Sequence, residues 1–393
     1  MPYGVYASGV MTYAKWAMLA GVALALLALA CEGSQRGENP AAPQTPERQA
    51  IGQALVIGIN ETGGPLPIID PVSGVVIANV DSGYTPEVLL RRRSGQLLIS
   101  QAFGSGPGED EPSLTVFDLD DPSTPLAIIP MPGRPSYKVY SPHGILSRNE
   151  RYLYYARRTS ICPNGGDTSV CDEWSIGVID LTAGEQIAQA KVGLGCAPQF
   201  EGDSRFEDTV LVTCGKVAAT SVQSTPDVVR LFIVSPDGET SELGTLSRRR
   251  TTNGAKSVLF AGLREDDTYF AVYNDGAVLY GGGEEVVADL LPEEEGEFGF
   301  NTGASLGNER YVLAFRMRFE HTFSGVMVLN ATAPEDAQTF DLPFAVLHVA
   351  PLDERRVALL HGGGFEVSVL DVETGRVSDG MTLPERVEWL SGG

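Results

Sequence analysis

The chain has 393 residues, of which 43% are hydrophobic and 20% are charged. This composition is typical of a globular protein with a large core and excludes a disordered chain. Acidic residues number 51 against 28 Lys and Arg, so the formal net charge is −23. Because Lys and Arg make the contacts to nucleic-acid phosphates and to anionic lipid headgroups, this charge disfavours both as partners.

The N-terminal residues are typical of an export signal. Lys15 precedes an apolar run over residues 17–30, which is too short to span a bilayer and fits the apolar part of a signal peptide. Residues 1–30 are therefore predicted to be a signal peptide, with either Met1 or Met11 as the start. Cys31 follows directly.

Residues 28–31 resemble a bacterial lipobox, in which the cysteine thiol receives a diacylglyceryl group. They depart from the usual pattern because Ala28, not Leu, stands three residues before Cys31. The resemblance implies a lipoprotein of the periplasm or outer membrane, in contact with the membrane only through its anchor. The same residues also fit an Ala-x-Ala cleavage site, which would release a soluble periplasmic protein.

Residues 31–50 are rich in Pro, Gly, Gln and Glu and lack apolar periodicity. They are predicted to form a flexible tether. Residues 51–393 are predicted to form one all-β domain, because short apolar runs alternate there with turn residues.

One pattern recurs along this domain: two or three apolar residues, then Asp or another polar residue in most copies, then a turn. Such a pattern predicts a β-hairpin. The seven copies are residues 68–70, 116–118, 178–180, 233–235, 278–280, 328–330 and 369–371.

A second repeat, a polar turn that leads into a strand, precedes most of these hairpins. Residues 149–154 and 308–313 are near copies, and residues 207–212, 266–270 and 353–358 are weaker ones. Four strands per repeated unit are typical of propeller blades of the WD40/YVTN-like kind. Residues 386–390 form an extra strand at the end, and the first hairpin lacks one. The sequence thus predicts a seven-bladed β-propeller closed by pairing of its N- and C-terminal strands.

Four cysteines remain besides Cys31, namely Cys162, Cys171, Cys196 and Cys214. In an oxidising compartment an even set forms disulfides, and sequence proximity predicts pairs 162–171 and 196–214. Each would contribute about 2–4 kcal/mol. A four-cysteine metal site is the alternative, but no C-x2-C spacing occurs and no histidine is near in sequence, so no metal is predicted.

Residues 175–181, Cys196 and residues 209–215 resemble part of the methylamine dehydrogenase heavy chain. That resemblance implies a seven-bladed periplasmic propeller. It implies no activity for this chain, because the redox cofactor of that family belongs to a separate light chain. The predicted lipid anchor is a departure from the family.

Two motifs are similar to parts of an esterase site. Residues 303–307 match G-x-S-x-G around Ser305, and residues 361–364 match HGGG. In esterases the serine lies on a strand-to-helix turn and the HGGG loop precedes it. Here HGGG follows and no helix is predicted, so both are interpreted as propeller loops.

The remaining polar segments are predicted to be structural or solvated. They are the glycine-rich residues 104–108, the acidic runs 109–111 and 293–297, and the Arg triplets 91–93 and 248–250. The triplets are expected at blade junctions, with an anion site as the alternative. His143, His321, His348 and His361 share no metal-ligand spacing. The loop between Cys162 and Cys171 is a candidate partner contact.

No catalytic, cofactor-binding or metal-binding residue is predicted, and no cofactor. The leading hypothesis is a binding or scaffolding platform that contacts a protein or a small ligand at a propeller face. Because propellers host both binding and catalysis, two alternatives stay open. One is an enzyme or enzyme subunit, either an amine dehydrogenase heavy-chain relative or a propeller lactonase or hydrolase; the other is a purely structural envelope protein.

Overall fold

The computed structural model describes residues 56–59, 65–81, 86–91, 93–101, 113–131, 144–160, 173–194, 196–201, 206–216, 227–248, 258–264, 269–273, 277–281, 286–290, 298–317 and 324–391. The predicted signal peptide, Cys31, the tether, Cys162, Cys171 and the segments 104–108, 109–111 and 293–297 lie outside these ranges. So do His143, His321, Arg92, Arg249 and Arg250.

Twenty-nine β-strands and one short 3-10 helix, Pro334–Asp336, make up the described part of the chain, and the strands form seven sheets. Sheet 1 comprises, in spatial order, β29 (Trp389–Ser391), β1 (Val56–Ile59), β2 (Pro65–Asp70) and β3 (Val75–Asp81). Sheet 2 comprises β4 (Pro86–Arg91), β5 (Gln96–Gln101), β6 (Ser113–Asp118) and β7 (Asp121–Pro130). Sheet 3 comprises β8 (Gly144–Leu146), β9 (Tyr152–Ser160), β10 (Glu173–Asp180) and β11 (Glu185–Leu194).

Sheet 4 comprises β12 (Cys196–Glu201), β13 (Val210–Lys216), β14 (Asp227–Val234) and β15 (Thr240–Arg248). Sheet 5 comprises β16 (Val258–Leu263), β17 (Tyr269–Tyr273), β18 (Ala277–Tyr280) and β19 (Val286–Asp289). Sheet 6 comprises β20 (Phe298–Gly307), β21 (Arg310–Met317), β22 (Ser324–Asn330) and β23 (Gln338–Leu342). Sheet 7 comprises β24 (Val346–Pro351), β25 (Arg356–His361), β26 (Glu366–Asp371) and β27 (Arg376–Val377), and a fifth strand, β28 (Met381–Thr382), also pairs with β26.

Each sheet is an antiparallel meander, and its two edges differ in their surroundings. The first strands of successive sheets, here called the inner strands, contact one another in the order β29, β4, β8, β12, β16, β20, β24 and again β29. The strands at the opposite edge are called the outer strands. Repeated four-stranded meanders that meet at their inner strands are β-propeller architecture. The predicted all-β propeller fold is confirmed.

The hydrophobic core lies between sheets rather than inside any one of them. Each of seven clusters of buried side chains combines residues of two neighbouring sheets. The middle strands therefore bury both faces, as in residues 357–360 of β25, which are all buried. This explains the short continuous apolar runs in the sequence, since strands covered on both faces do not alternate.

The recurrent hairpins join the last two strands of each meander, and a local hydrogen-bond pattern shapes the turns. The Asp180 carboxylate accepts the backbone N–H groups of Thr182 and Ala183, and Gly184, at φ +72°, donates to the Asp180 carbonyl. Equivalent bonds surround Asp70 and Asp371. Because Asp bonds backbone groups two and three residues ahead and Gly accepts positive φ, the copies of the repeat that combine Asp with this Gly form the same turn.

Sheet 1 is built from both ends of the domain. Strand β1 pairs antiparallel with β29, with Ile57 opposite Ser391 and Gly58 opposite Leu390. A Cβ atom on Gly58 would lie 2.6 Å from Cγ1 of Val387, so the close approach of the C-terminal segment requires glycine there. The predicted strand over residues 386–390 is shifted, since only Trp389–Ser391 is strand.

The outer edge of sheet 7 departs from the predicted repeat of four continuous strands. Two short strands, β27 and β28, both pair with β26 in place of one outer strand. Ser378 lies between these two strands and makes two hydrogen bonds to Val369 of β26. The N–H of Ser378 donates to the carbonyl of Val369, and the hydroxyl of Ser378 accepts the N–H of Val369. The break therefore leaves the backbone of Val369 hydrogen-bonded.

We expect Leu390→Ala to destabilise the domain, because Leu390 is buried in the cluster between sheets 7 and 1. The free energy of unfolding should fall by about 2–5 kcal/mol, as for other large-to-small core changes. Urea unfolding measures the change, with Val75→Ala on exposed β3 as the control. A loss no larger than that of the control would contradict the packing of β29 in this core.

Candidate functional site

The turns between the first and second strands tie neighbouring sheets together. The backbone N–H of Arg93 in sheet 2 donates to both carboxylate oxygens of Glu150 in sheet 3, at 3.2 and 3.0 Å. Asn149 in turn donates through its side chain to Asp208 of sheet 4 and through its N–H to the Glu207 carbonyl at 3.2 Å. The near-copy turns that the sequence repeats thus act as polar links between sheets.

The Arg triplet at residues 91–93 lies at one of these junctions, as its position in the repeat predicts. Arg91 is half-buried and donates to Gln96. Burial lowers the pKa of Arg91, and the neighbouring Glu150 carboxylate opposes this effect. Of the second triplet only Arg248 is described, and it ends outer strand β15. The first triplet is therefore part of a polar junction between sheets 2 and 3, and an anion site at either triplet stays a prediction.

Arg–Asp pairs link the first turn to the hairpin turn within a sheet. Arg151 contacts Asp180 at 2.9 Å in sheet 3, and Arg355 contacts Asp371 at 2.7 Å in sheet 7. The hydrogen bond from Arg355 lowers the pKa of Asp371 to about 2. Burial raises the pKa of Asp180, but the hydrogen bonds from Arg151 and from two backbone N–H groups outweigh it and the pKa falls. These carboxylates are structural anions rather than acid–base groups.

The HGGG residues lie at the end of β25, where His361 is held from two sides. Its Nδ1 is 3.0 Å from Oε2 of Glu366, its Nε2 is 3.0 Å from Oγ of Ser368, and its ring stacks on Phe344 at 3.6 Å between centroids. Burial lowers the pKa of His361, and Glu366 opposes this effect. A carboxylate, an imidazole and a hydroxyl in series are the parts of an activated nucleophile.

Access argues against catalysis by this trio. Ser368 is 1% exposed, within a strand that is hydrogen-bonded on both sides, so no substrate carbonyl can reach its hydroxyl. The trio instead fixes the imidazole against Phe344, in the segment that leads from sheet 6 into sheet 7. Sequence reasoning singled out His361 but missed Glu366 and Ser368, because only the register of β25 against β26 brings them together.

Ser305 of the G-x-S-x-G match does not join His361. It lies in inner strand β20, and its hydroxyl accepts the N–H of Gly307 at 3.2 Å, where φ is +80°. The chain then enters β21 rather than a helix. The interpretation of residues 303–307 as a propeller loop is wrong, because they are the last residues of strand β20 and the turn follows at residues 308–309.

His348 lies on inner strand β24 and differs from His361 in having an unpartnered nitrogen. Its side chain is partly accessible, but its Nδ1 atom is buried and has no hydrogen-bond partner. Burial lowers the pKa of His348 to about 4. The imidazole is therefore neutral near pH 7.

Cys214 is buried on β13 and forms a disulfide. On the neighbouring strand β12, Pro198 is opposite Cys214 and Cys196 is opposite Lys216, so the two cysteines are diagonal neighbours in the ladder. This register is compatible with the predicted pair 196–214, which stays a prediction, as does 162–171. Within the described ranges, no three His, Cys, Asp or Glu side chains could together hold a metal ion, and no helix is long and apolar enough to cross a membrane.

The exposed hydrophobic side chains are concentrated on one side of the propeller. Six of the seven large ones that the described residues contain lie on the outer strands and hairpin turns of sheets 1 to 3; only Phe365 lies elsewhere. We call these six residues the apolar rim: Val72, Val75, Ile77, Leu126, Ile128 and Ile187. Ile128 is 65% exposed. The outer strands that carry the rim are in contact, β3 with β7 and β7 with β11.

The outer strands of sheets 4 and 6 present polar groups at exposed positions. Strand β15 of sheet 4 exposes Ser241 and Glu242, and β23 of sheet 6 exposes Thr339 and Asp341. Among the described side chains, the apolar rim therefore distinguishes the outer strands of sheets 1 to 3 from those of sheets 4 and 6. Sequence reasoning missed the rim, because an apolar residue on a strand is interpreted as a core residue unless the position of that strand at the outer edge of its sheet is known.

Protonation of His348 should destabilise the folded protein as the pH falls. Because its folded pKa of about 4 is below the ordinary 6.5, the unfolded chain binds the proton more readily, and stability is lost between these two values. From about pH 7.5 to about pH 5 the native protein should lose about 2 kcal/mol more than His348→Gln. Urea unfolding at both pH values measures this, with the exposed, non-titrating substitution Thr339→Gln as the control that should lose as much as the native protein. Equal losses in the native protein and His348→Gln would refute the assignment.

Comparison with known proteins adds no family. No family model matches the chain, and no curated protein matches it. Solved structures that resemble it include the Cps50 (Swd1) β-propeller domain of Myceliophteria thermophila, at 13% identity and a TM-score of 0.48 over 80% of this chain and 93% of that chain. Oligogalacturonate lyase of Vibrio parahaemolyticus has 10% identity and a TM-score of 0.48 over 83% of this chain and 79% of that chain. Apo AztD of Citrobacter koseri has 11% identity and a TM-score of 0.46 over 85% of this chain and 82% of that chain. At these TM-scores none carries an argument about this chain, whose propeller fold follows from its own sheets.

Proposed function

We propose that this chain is an exported cell-envelope lipoprotein whose propeller serves as a binding platform without catalysis of its own. The apolar rim is the observation that carries this proposal. Scattered apolar side chains are normal on a surface, but a concentration on adjacent strands is typical of an interaction site. Several charged groups of the turns between the first and second strands, such as Glu150 and Arg151, are in contrast engaged in links within and between sheets.

Rigidity suits this role. The polar links between sheets and the Arg–Asp pairs within them fix the outer strands relative to one another. A surface whose side chains are already ordered loses less conformational entropy when a partner binds. A platform of this kind gains affinity from preorganisation rather than from rearrangement.

We further propose that the seven sheets are the seven blades of a closed ring. The support is the pairing of β1 with β29 and the sequence of inner-strand contacts, which returns to β29 from β24. Without β29, strand β1 would present a free edge, and free strand edges are sites of aggregation. An exported protein that works without cytoplasmic chaperones gains from that arrangement.

Export and lipidation at Cys31 are proposed from the N-terminal sequence. The disulfide at Cys214 is compatible with them, because disulfides persist in oxidising compartments such as the periplasm. With a tether after the anchor, the propeller would stand clear of the membrane. Neither the amine dehydrogenase-type subunit nor the propeller hydrolase gains specific support from the described residues, and the burial of Ser368 disfavours hydrolysis at His361.

Replacing Cys31 by Ala should abolish the lipid anchor. The full chain is produced in a Gram-negative host with radiolabelled palmitate. We expect the native chain to incorporate label and sediment with membranes, whereas Cys31→Ala should do neither. Ala28→Leu, which restores the usual lipobox, is the matched control and should keep both properties. An unlabelled native chain cleaved after Ala30 would contradict lipidation and establish the soluble periplasmic alternative.

A further inference from the structure

We propose that the apolar rim binds a protein partner whose contact surface has an apolar centre bordered by Lys and Arg, and that the partner packs on side chains rather than adding a β-strand. The inference rests on the proposed platform function and deepens it. It is argued from the backbone of the outer strands, the exposure of the rim and the charges around it.

A β-bulge places an apolar residue at the same position on three outer strands. In sheet 1, Ile68 is opposite Ala78 and Ile69 is opposite Val76, so Ile77 is the extra residue on β3. The equivalent register shifts leave Leu126 extra on β7 and Ile187 extra on β11. All three bulge residues belong to the rim.

These bulges disfavour recognition by strand addition. A bulge interrupts the regular spacing of N–H and C=O groups and increases the local twist, so an incoming strand cannot continue the ladder across it. On β7, Pro122 and Pro125 in addition lack N–H groups. A partner at this edge must therefore gain its contact area from side chains.

The bulge alone does not account for the exposure. Sheet 4 has the same register shift, with Leu243 as the extra residue of β15, but Leu243 is partly buried against the core cluster between sheets 4 and 5. Sheet 6 has no shift between β22 and β23. The shift recurs in sheet 5, where Val287 is the extra residue of β19. The bulge is thus a feature of the fold, whereas solvent exposure of the apolar bulge residue distinguishes sheets 1 to 3 from sheet 4.

Acidic groups border the rim at the hairpin turns. Asp120 is exposed in the turn between β6 and β7, Asp121 is exposed at the start of β7, and Glu185 is exposed at the start of β11. Lys191 on β11 is the only Lys or Arg of the three outer strands. With a net charge of −23 on the whole chain, this border favours a partner with basic residues around an apolar centre.

The same charges disfavour the other occupants of such a surface. In a symmetric pair of copies the same acidic turns would face each other, and like charges at an interface cost free energy. An anionic bilayer would be repelled as well. A different protein with a basic border is therefore the occupant that the observations favour.

Photo-cross-linking in cells of the source organism tests the inference. The photoreactive residue p-benzoylphenylalanine replaces Ile128 in the full chain, and in separate chains Ile77 or Ile187. Thr339 and Glu242, on the outer strands of sheets 6 and 4, are the control positions. After irradiation, mass spectrometry identifies the cross-linked peptide. We expect cross-links at the rim positions to one protein, at an apolar segment flanked by Lys or Arg.

The outcomes separate the two proposals. Cross-links at the rim to a second copy, to lipid, or to a protein segment without flanking basic residues would overturn the partner assignment. Cross-links at Thr339 or Glu242 alone would overturn the rim as the docking surface but leave the platform function standing. Cross-links at none of the five positions would overturn both the docking surface and the platform function that it rests on.

Matched variants test the two parts of the surface separately. With the photoreactive residue at position 187, Ile128→Asp should lower the cross-link yield about tenfold, because it removes an apolar anchor. Reversal of the border charge in Asp120→Lys/Asp121→Lys should lower it about threefold through slower association. Thr339→Asp should leave it unchanged. Thermal unfolding shows that each variant is folded, and equal yields in all variants would contradict the proposal.

Discussion

The antiparallel pairing of β1 with β29 is the interaction on which the rest of the structure depends. It makes sheet 1 from the two ends of the domain, and the space that it allows is so narrow that only glycine fits at position 58 beside Val387. Each sheet stabilises its neighbours through a shared cluster of buried side chains. Without β29, the cluster between sheets 7 and 1 would lose Leu390 and the sheets at both ends would lack a partner.

Polar and apolar groups have separate tasks in this arrangement. Charged residues in the turns bond across sheets, as Glu150 does with Arg93, or within a sheet, as Asp371 does with Arg355. These bonded groups hold the frame. The apolar surface that the frame leaves exposed is on the opposite, outer edge of sheets 1 to 3. The side chains there are presented by strands whose relative positions the turns have already fixed.

The parts of the fold that local chemistry determines could be predicted from the sequence. Asp70 and Asp180 mark hairpins, because an Asp bonds the backbone two and three residues ahead whatever the rest of the chain does. The meanders and the pairing of the two chain ends followed from counting such units. Even there the predicted bounds of the last strand differ from the observed ones, since the strand begins at Trp389 rather than at residue 386.

What depends on register between strands could not be predicted. Ile77 and Leu243 occupy the same bulge position, yet one is exposed and the other packs on a core cluster, and no local pattern distinguishes them. Likewise, the esterase-like motifs of the sequence associate His361 with Ser305. The serine that contacts His361 is instead Ser368, on the other strand of the same hairpin. The break between β27 and β28 depends in the same way on bonds that Ser378 makes to another strand.

Disulfide trapping tests most directly whether the chain ends join. Cysteines introduced together at Ile57 and Ser391, which are opposite each other in the ladder, should cross-link in mild oxidant, because opposite residues project from the same face at disulfide distance. Peptide mapping should then find residues 57 and 391 in one linked pair, and the oxidised variant should unfold at a higher temperature than the same variant with reduced cysteines. If the two cysteines stay reduced or pair only with native cysteines, the two ends do not form one sheet.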